Sequence, residues 1–182
     1  DPQAQDVITS WQRAAEDRIR RCGIPWTILR PRAFMTHALA WGPDIRRDAT
    51  VRAPYPASRN ACIAPFDIAQ VALRVLLEDG HQSRTYALTG PQALSACDQA
   101  AQLSEALERP LACAELTIAQ AQQRWRRRYP EPMVQALTAS AERQRAGAKE
   151  RTTRDVEDLL GRPAVSFSSW VNEHARLFDI QA

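Results

Sequence analysis

Gly23-Ile24-Pro25-Trp26-Thr27-Ile28-Leu29-Arg30-Pro31 is the stretch on which the fold turns. Glycine takes the left-handed position that closes a helix without steric cost, so a helix ends at Gly23. Pro25 prevents that helix from resuming. Trp26 to Leu29 is short, apolar and rich in branched and aromatic residues, with no polar alternation, which predicts a strand buried on both faces, as in a parallel sheet. Pro31 then stops the strand. Ligands of open α/β sheets bind beyond the carboxyl ends of the strands, so the chemistry of this chain is expected near Arg30 to His37.

Working outward, Ile8, Trp11, Ala15, Ile19 and Cys22 recur at helical steps and make one apolar stripe of the helix before Gly23. Trp11 is read as packing. After the strand, Phe34 to Trp41 fits a turn of helix. Residues 42–64 carry Pro43, Pro54 and Pro56 and little periodicity, which predicts a long binding loop with short strands near Thr50-Val51-Arg52 and Cys62-Ile63. Pro65-Phe66-Asp67 opens a helix with Asp67 as N-cap and Ile68, Val71, Ala72, Val75 and Leu76 on its apolar face. Arg84 to Leu88 is a strand, and Ser95-Ala96-Cys97-Asp98 is a capping box for a helix to about Leu107. Leu111 to Leu116 is a further strand.

From Thr117 the pattern is helical. Thr117 caps a helix to about Tyr129, and Glu131 to about Ala146 forms another. Thr152 or Thr153 caps a short one ending at Gly161. Ser168 caps the last, with Trp170, Val171, His174 and Leu177 inward. Ala141 to Arg151 is the stretch expected to be mobile. Strands alternating with helices predict an α/β protein with a parallel sheet. Its expected parts are an α/β domain over 1–116 and a helical subdomain over 117–182.

The chain of 182 residues has a net charge of +3, too small to suggest nucleic acid. Arg124-Trp125-Arg126-Arg127-Arg128-Tyr129 is read as a solvated helix end. No apolar run reaches the roughly 20 residues of a membrane span. Cys22, Cys62, Cys97 and Cys113 have no Cys-x-x-Cys spacing and the three histidines lie far apart, so no metal site is expected. The cysteines are read as free thiols in a cytoplasmic protein. Nothing matches Gly-x-Gly-x-x-Gly, and no Tyr-x-x-x-Lys pair is present. The single lysine, Lys149, is far in sequence from the Gly23–Pro31 stretch.

Gly23 to Met35, read as GIPWTILRPxxFM, resembles the NmrA-like branch of the atypical short-chain dehydrogenase/reductases. Asp67-Ile68-Ala69, Tyr86-Ala87-Leu88-Thr89-Gly90-Pro91, Leu160-Gly161-Arg162-Pro163, Phe167 and Trp170 follow in the family's order, so the resemblance covers nearly the whole chain. It implies the C-terminal part of a Rossmann-type parallel sheet with a small, mostly helical substrate-binding subdomain. It also implies that about 100 residues of the family's fold, at roughly 30 per βαβ unit, lie before Asp1. The chain is then one part of a longer protein or a naturally shortened member.

The resemblance places Pro31, Phe34 and Met35 at the cofactor, which is NAD or NADP, with NADP favoured, only if that N-terminal half is present. His37 stands where the family commonly has Asn. An imidazole can give or take a proton near neutral pH, and His37 is the expected catalytic group. Arg32 is a candidate for an anionic substrate, as Arg30 is, though either can equally serve a surface ion pair. Trp41, Tyr55, Trp125 and Met133 are candidate substrate-pocket walls. The leading reading is an NAD(P)H-dependent reductase of a small organic substrate. The alternatives are a dinucleotide-sensing regulator without turnover and a shortened member reused as a non-redox catalyst or binding subunit. A homodimer, or a partner chain covering the exposed sheet edge, is expected; nucleic acid and membrane are not.

Overall fold

The computed structural model describes residues 6–179. The first helix, α1 (Val7–Arg21), is capped by Asp6, whose carboxylate accepts from the backbone N–H groups of Ile8 and Thr9. The chain leaves it through Gly23 at φ +78°. The helix is where the pattern puts it, but its apolar stripe is bare. None of its residues is buried, and Trp11 is 76% exposed. The expected packing of Trp11 is therefore corrected: its ring lies largely in solvent, although Ile8 on the same stripe is half-buried.

Strand β1 (Thr27–Pro31) pairs in parallel with β4 (Arg84–Leu88), with Thr27 opposite Arg84 and Pro31 opposite Leu88. Only Ile28 of β1 is buried, which corrects the expectation of burial on both faces. The physical reason is that β4 is its one ladder partner among the described residues, while Arg30 turns out to meet Glu16 on α1.

Residues 42–64 are not one long loop, and the strand expected near Thr50-Val51-Arg52 is present. A 3₁₀ turn (Met35–Trp41) runs straight into α2 (Gly42–Asp48), where Pro43 sits in the first turn. Proline there costs no hydrogen bond, because those N–H groups have no helical partner. Strand β2 (Thr50–Pro54) follows, then β3 (Arg59–Asn60). Ile63 makes a parallel bridge to Phe34.

Helix α3 (Pro65–Leu77) buries Val71, but Leu76, expected on the same inner face, is 81% exposed. Its N-cap is Ala64, not Asp67. The Asp67 carboxylate, fully buried, instead accepts from the Val165 N–H at 2.7 Å and meets the Arg162 guanidinium at 2.8 Å. The short β5 (Leu94–Ser95) pairs antiparallel with β3 and leads into α4 (Ala96–Ala106) through the expected capping box between Ser95 and Asp98. Glu108 takes the left-handed turn beyond α4, at φ +51°.

Strand β6 (Ala112–Leu116) pairs in parallel with β2. Thr117 and Gln120 form a capping box for α5 (Ile118–Arg126), and α6 spans Glu131–Arg145. Helix α7 (Asp155–Leu160) starts beyond both expected threonine caps. Thr153 is spent elsewhere: its hydroxyl donates to the Ala87 carbonyl and its N–H donates to the Thr89 hydroxyl. Helix α8 (Phe167–His174) is capped by Ser166 rather than Ser168. Trp170 and Val171 are buried as expected, but Leu177 is 43% exposed, because a 3₁₀ turn (Ala175–Phe178) buries Phe178 in its place.

The result is an α/β fold with two apolar clusters. One gathers Met35, Ile45, Val51, Leu103, Phe167, Trp170, Val171 and Phe178 around β2, α4 and α8. The other gathers Ile63, Val71, Leu88 and Val156 between β4, α3 and α7. Cys97 and Cys113 are joined in a disulfide, with Cα atoms 5.4 Å apart, within the ordinary range for a bridge. That corrects the reading of four free thiols; Cys22 and Cys62 remain free. No described helix is long and apolar enough to cross a membrane.

Candidate active site beyond the end of strand β1

The backbone leaving β1 is held on two sides. Arg32 N–H donates to the Leu88 carbonyl at 2.8 Å, Ile63 N–H to Ala33 at 3.0 Å, and Met35 N–H to Ile63 at 2.9 Å. Gly90 completes the seam. A Cβ there would lie 2.1 Å from the Cys62 carbonyl oxygen, so only glycine lets the two segments meet. Ala61, beside Cys62, donates its N–H to the Lys149 carbonyl at 3.0 Å.

That last bond overturns a sequence reading. Lys149 is distant along the chain, but the fold returns it to the mouth of β1. Its ammonium donates to the Ser140 hydroxyl at 2.6 Å. Burial, with the charges of Arg143 and Arg32, brings its pKa down to about 8. Its charge in turn reaches His37, whose pKa is lowered first by partial burial and then by Lys149. Cys62 lies in the same field, but burial pushes its thiol up to about 11, so it is not a nucleophile at neutral pH.

The structure treats the expected site residues unequally. His37 is exposed and its ring stacks on Phe34, centroids 5.9 Å apart, as a three-residue helical step predicts. It presents one face to solvent and does not line the small pocket beneath. That pocket, about 10 Å³, is walled by Met35, Cys62, Leu94, Gln99 and Phe167 among others and has room for about one water. Met35 is 2% exposed and belongs to the core. The 3₁₀ turn points it inward, which corrects the expectation of Met35 on an open cofactor surface; Pro31 and Phe34 stay accessible.

Arg30 is engaged, giving two hydrogen bonds to Glu16. The half-buried Arg32 guanidinium has no carboxylate or hydrogen-bond acceptor among the described residues. Tyr55, at φ +50°, donates its hydroxyl to Glu142 and lies under Arg145, 4.9 Å from its ring centre. It therefore stands at the C-terminal end of α6, on the side where Lys149 follows. Trp41 packs against the first apolar cluster. Trp125 and Met133 are half-buried on α5 and α6, and no described hydrogen bond or ring contact joins their side chains to the group around Lys149. Two of the four arginines of the basic run are in ion pairs, Arg124 with Asp44 at 2.6 Å and Arg126 with Glu131 at 2.9 Å.

Sequence reasoning missed Lys149, Arg143 and Ser140 because the contacts that gather them are long-range. The one available signal was composition: a single lysine in a chain with 24 basic residues. Among the described residues no group of His, Cys, Asp and Glu could hold a metal ion.

No family model matches the chain. Over 178 residues, 98% of its length, it is 46% identical to a (4-alkanoyl-5-oxo-2,5-dihydrofuran-3-yl)methyl phosphate reductase from Streptomyces griseus subsp. griseus, covering 63% of that protein. It is 30% identical to an NAD(P)H azoreductase from Xenophilus azovorans over 97% of the chain and 62% of the relative. An NADPH-dependent quinone oxidoreductase from Escherichia coli superposes with a TM-score of 0.82 at 20% identity, covering 94% of this chain and 63% of that one. The chain thus spans under two thirds of the length of these proteins. The proteins it is similar to are named as reductases, and its α/β fold is that of the NADPH-dependent enzyme.

Proposed function

We propose that this chain is the substrate-side portion of an NAD(P)H-dependent, NmrA-like reductase acting on a small organic substrate, with NADP favoured as cofactor. The observation that carries the reading is the mouth of β1, where Pro31, the Phe34–His37 stack and a lysine of lowered pKa meet beyond a parallel strand, the place where α/β sheets bind ligands. Pro31 and the 37% exposed Phe34, both accessible, are the residues that would hold the nicotinamide end of a dinucleotide. A bound dinucleotide supplies the hydride. His37 supplies the proton that completes the reduction, and Phe34 holds its ring in place. The lowered pKa means that the proton-donating form is present below the ordinary histidine value and is lost as pH rises. Trp41 and Tyr55 are the walls that this reading still assigns to substrate; Trp125 and Met133 remain weaker candidates. If no upstream strand of the same chain pairs with β1, a second copy or a partner chain covers its edge; the protein works in the cytoplasm, where the Cys97–Cys113 bond would be unusual.

The test is turnover by the full-length protein, followed as loss of NADPH with an activated carbonyl or azo compound. His37→Ala is expected to lower kcat by about 10²- to 10⁴-fold, and kcat of the parent should rise as pH falls toward 6. Undiminished turnover in His37→Ala removes His37 from the reaction. No NADPH oxidation with any such acceptor removes the reductase reading.

A further inference from the structure

Most cations of this chain are answered or fully solvated. Arg30 has Glu16, Arg124 has Asp44 and Arg162 has Asp67. The half-buried Arg46 gives its N–H to the Phe178 carbonyl at 2.9 Å. At the mouth of β1 the pattern breaks. Arg32 is half-buried with no acceptor for its guanidinium among the described residues. Lys149 has only the neutral Ser140 hydroxyl, at 2.6 Å. Arg143 stands behind them, paired with Asp6 at 3.0 Å. Asp6 is the one carboxylate in this set, and it is already shared with the N-terminus of α1. The backbone holds the arrangement, since the Lys149 carbonyl accepts from Ala61, the Arg32 N–H donates to Leu88 and the neighbouring Ala33 carbonyl accepts from Ile63. Two cations that no described carboxylate pairs with directly, beside a hydroxyl, are what a phosphate dianion needs: charge, a planar fork and a point donor.

Resting on the reductase reading, we propose that Arg32 and Lys149, with Ser140 and Arg143 supporting Lys149, bind the phosphate group of a phosphorylated substrate. Burial, and after it the charges of Arg143 and Arg32, disfavour the Lys149 ammonium, and a dianion would relieve the repulsion among the cations. The relative from Streptomyces griseus, named for a methyl phosphate ester, is independent support for that substrate class. The same chemistry could instead meet a phosphate of the cofactor, and the experiment separates the two sources.

Three measurements on the full-length protein decide it. Calorimetry with methyl phosphate, without cofactor, reads the anion site independently of turnover. Arg32→Gln and Lys149→Met should each weaken binding about tenfold or more, with Lys149→Arg keeping most of it. Unchanged affinity in both variants, or no binding by the parent protein, overturns the proposal. NADPH affinity should be unaffected; a matching loss of NADPH affinity assigns the cluster to the cofactor and overturns it. In turnover, KM for a phosphorylated unsaturated lactone should rise about 10- to 100-fold in these variants relative to KM for the dephosphorylated alcohol. An equal fall in kcat for both substrates makes Lys149 a proton donor and overturns the proposal. Binding of methyl phosphate by a protein that reduces neither substrate upholds the anion site and overturns the reductase reading alone. Lys149→Met removes an unpaired half-buried charge and should fold, with its melting curve as the check.

Discussion

The two parallel strand pairs make an instructive contrast. Around β2 and β6, helices α4 and α8, the 3₁₀ turns and a disulfide close a cluster in which Val51, Leu103, Val171 and Phe178 lose all contact with water. Around β1 and β4, the flank is open. Among the described residues α1 has no fully buried side chain, and Val7, Trp11, Ile19 and Ile24 stay exposed, as do Leu73, Leu76 and Leu77 on α3. Both regions are built from similar residue types; what differs is whether another element lies against them. An apolar stripe states that a face is to be covered, not what covers it.

The largest effect that would break this contrast is on the closed side. Trp170→Ala should cost about 3–5 kcal/mol of unfolding free energy, read by urea denaturation, because Trp170 is 3% exposed and stacks on His174 at 4.8 Å. A loss under about 1 kcal/mol would mean that this core is no better covered than the open flank. Next comes Asp67→Asn. Breaking a fully buried pair costs roughly 3–5 kcal/mol; with Arg162 38% exposed, about 2–3 kcal/mol is expected.

Lys149 gives a pH signature at the seam between the regions. Its folded pKa of about 8 lies below the ordinary 10.5, so the unfolded chain binds more protons between those values and stability rises across that window. The gain should be about 3 kcal/mol. The cost of the buried charge is fully present below pH 8, where Lys149→Met should be more stable than the parent; in that variant the rise should vanish. An identical pH profile in parent and variant would place Lys149 in solvent.

The smallest expected effect is Trp11→Ser, within about 0.5 kcal/mol, because the ring is 76% exposed. Light scattering should show it weakening self-association of this chain if the open flank meets a second copy. A substantial loss of stability in the monomer would show instead that α1 is covered.

Local signals were legible where they act over a few residues. The Ser95 and Thr117 capping boxes, the left-handed Gly23 and Gly161 and the Phe34–His37 stack all follow from spacing. What escaped depends on partners far along the chain. Asp67 reads as a helix cap until Val165 arrives 98 residues later. Thr153 reads as a cap until β4 takes its hydroxyl. Lys149 reads as remote until Ala61 draws it in. Pro43 was a local signal misjudged: proline in an irregular-looking stretch marked the start of α2, not its absence.

The Asp67 link has a consequence for how the protein is made. At about 5–20 residues per second on the ribosome, α3 is complete several seconds before Arg162 and Val165 exist. During that interval its carboxylate must remain hydrated, so the helix cannot settle into its final place against β4. The second apolar cluster therefore closes only after the segment through Val165 has left the exit tunnel, and a nascent chain arrested before Arg162 would present α3 and its leucines to chaperones rather than to the sheet.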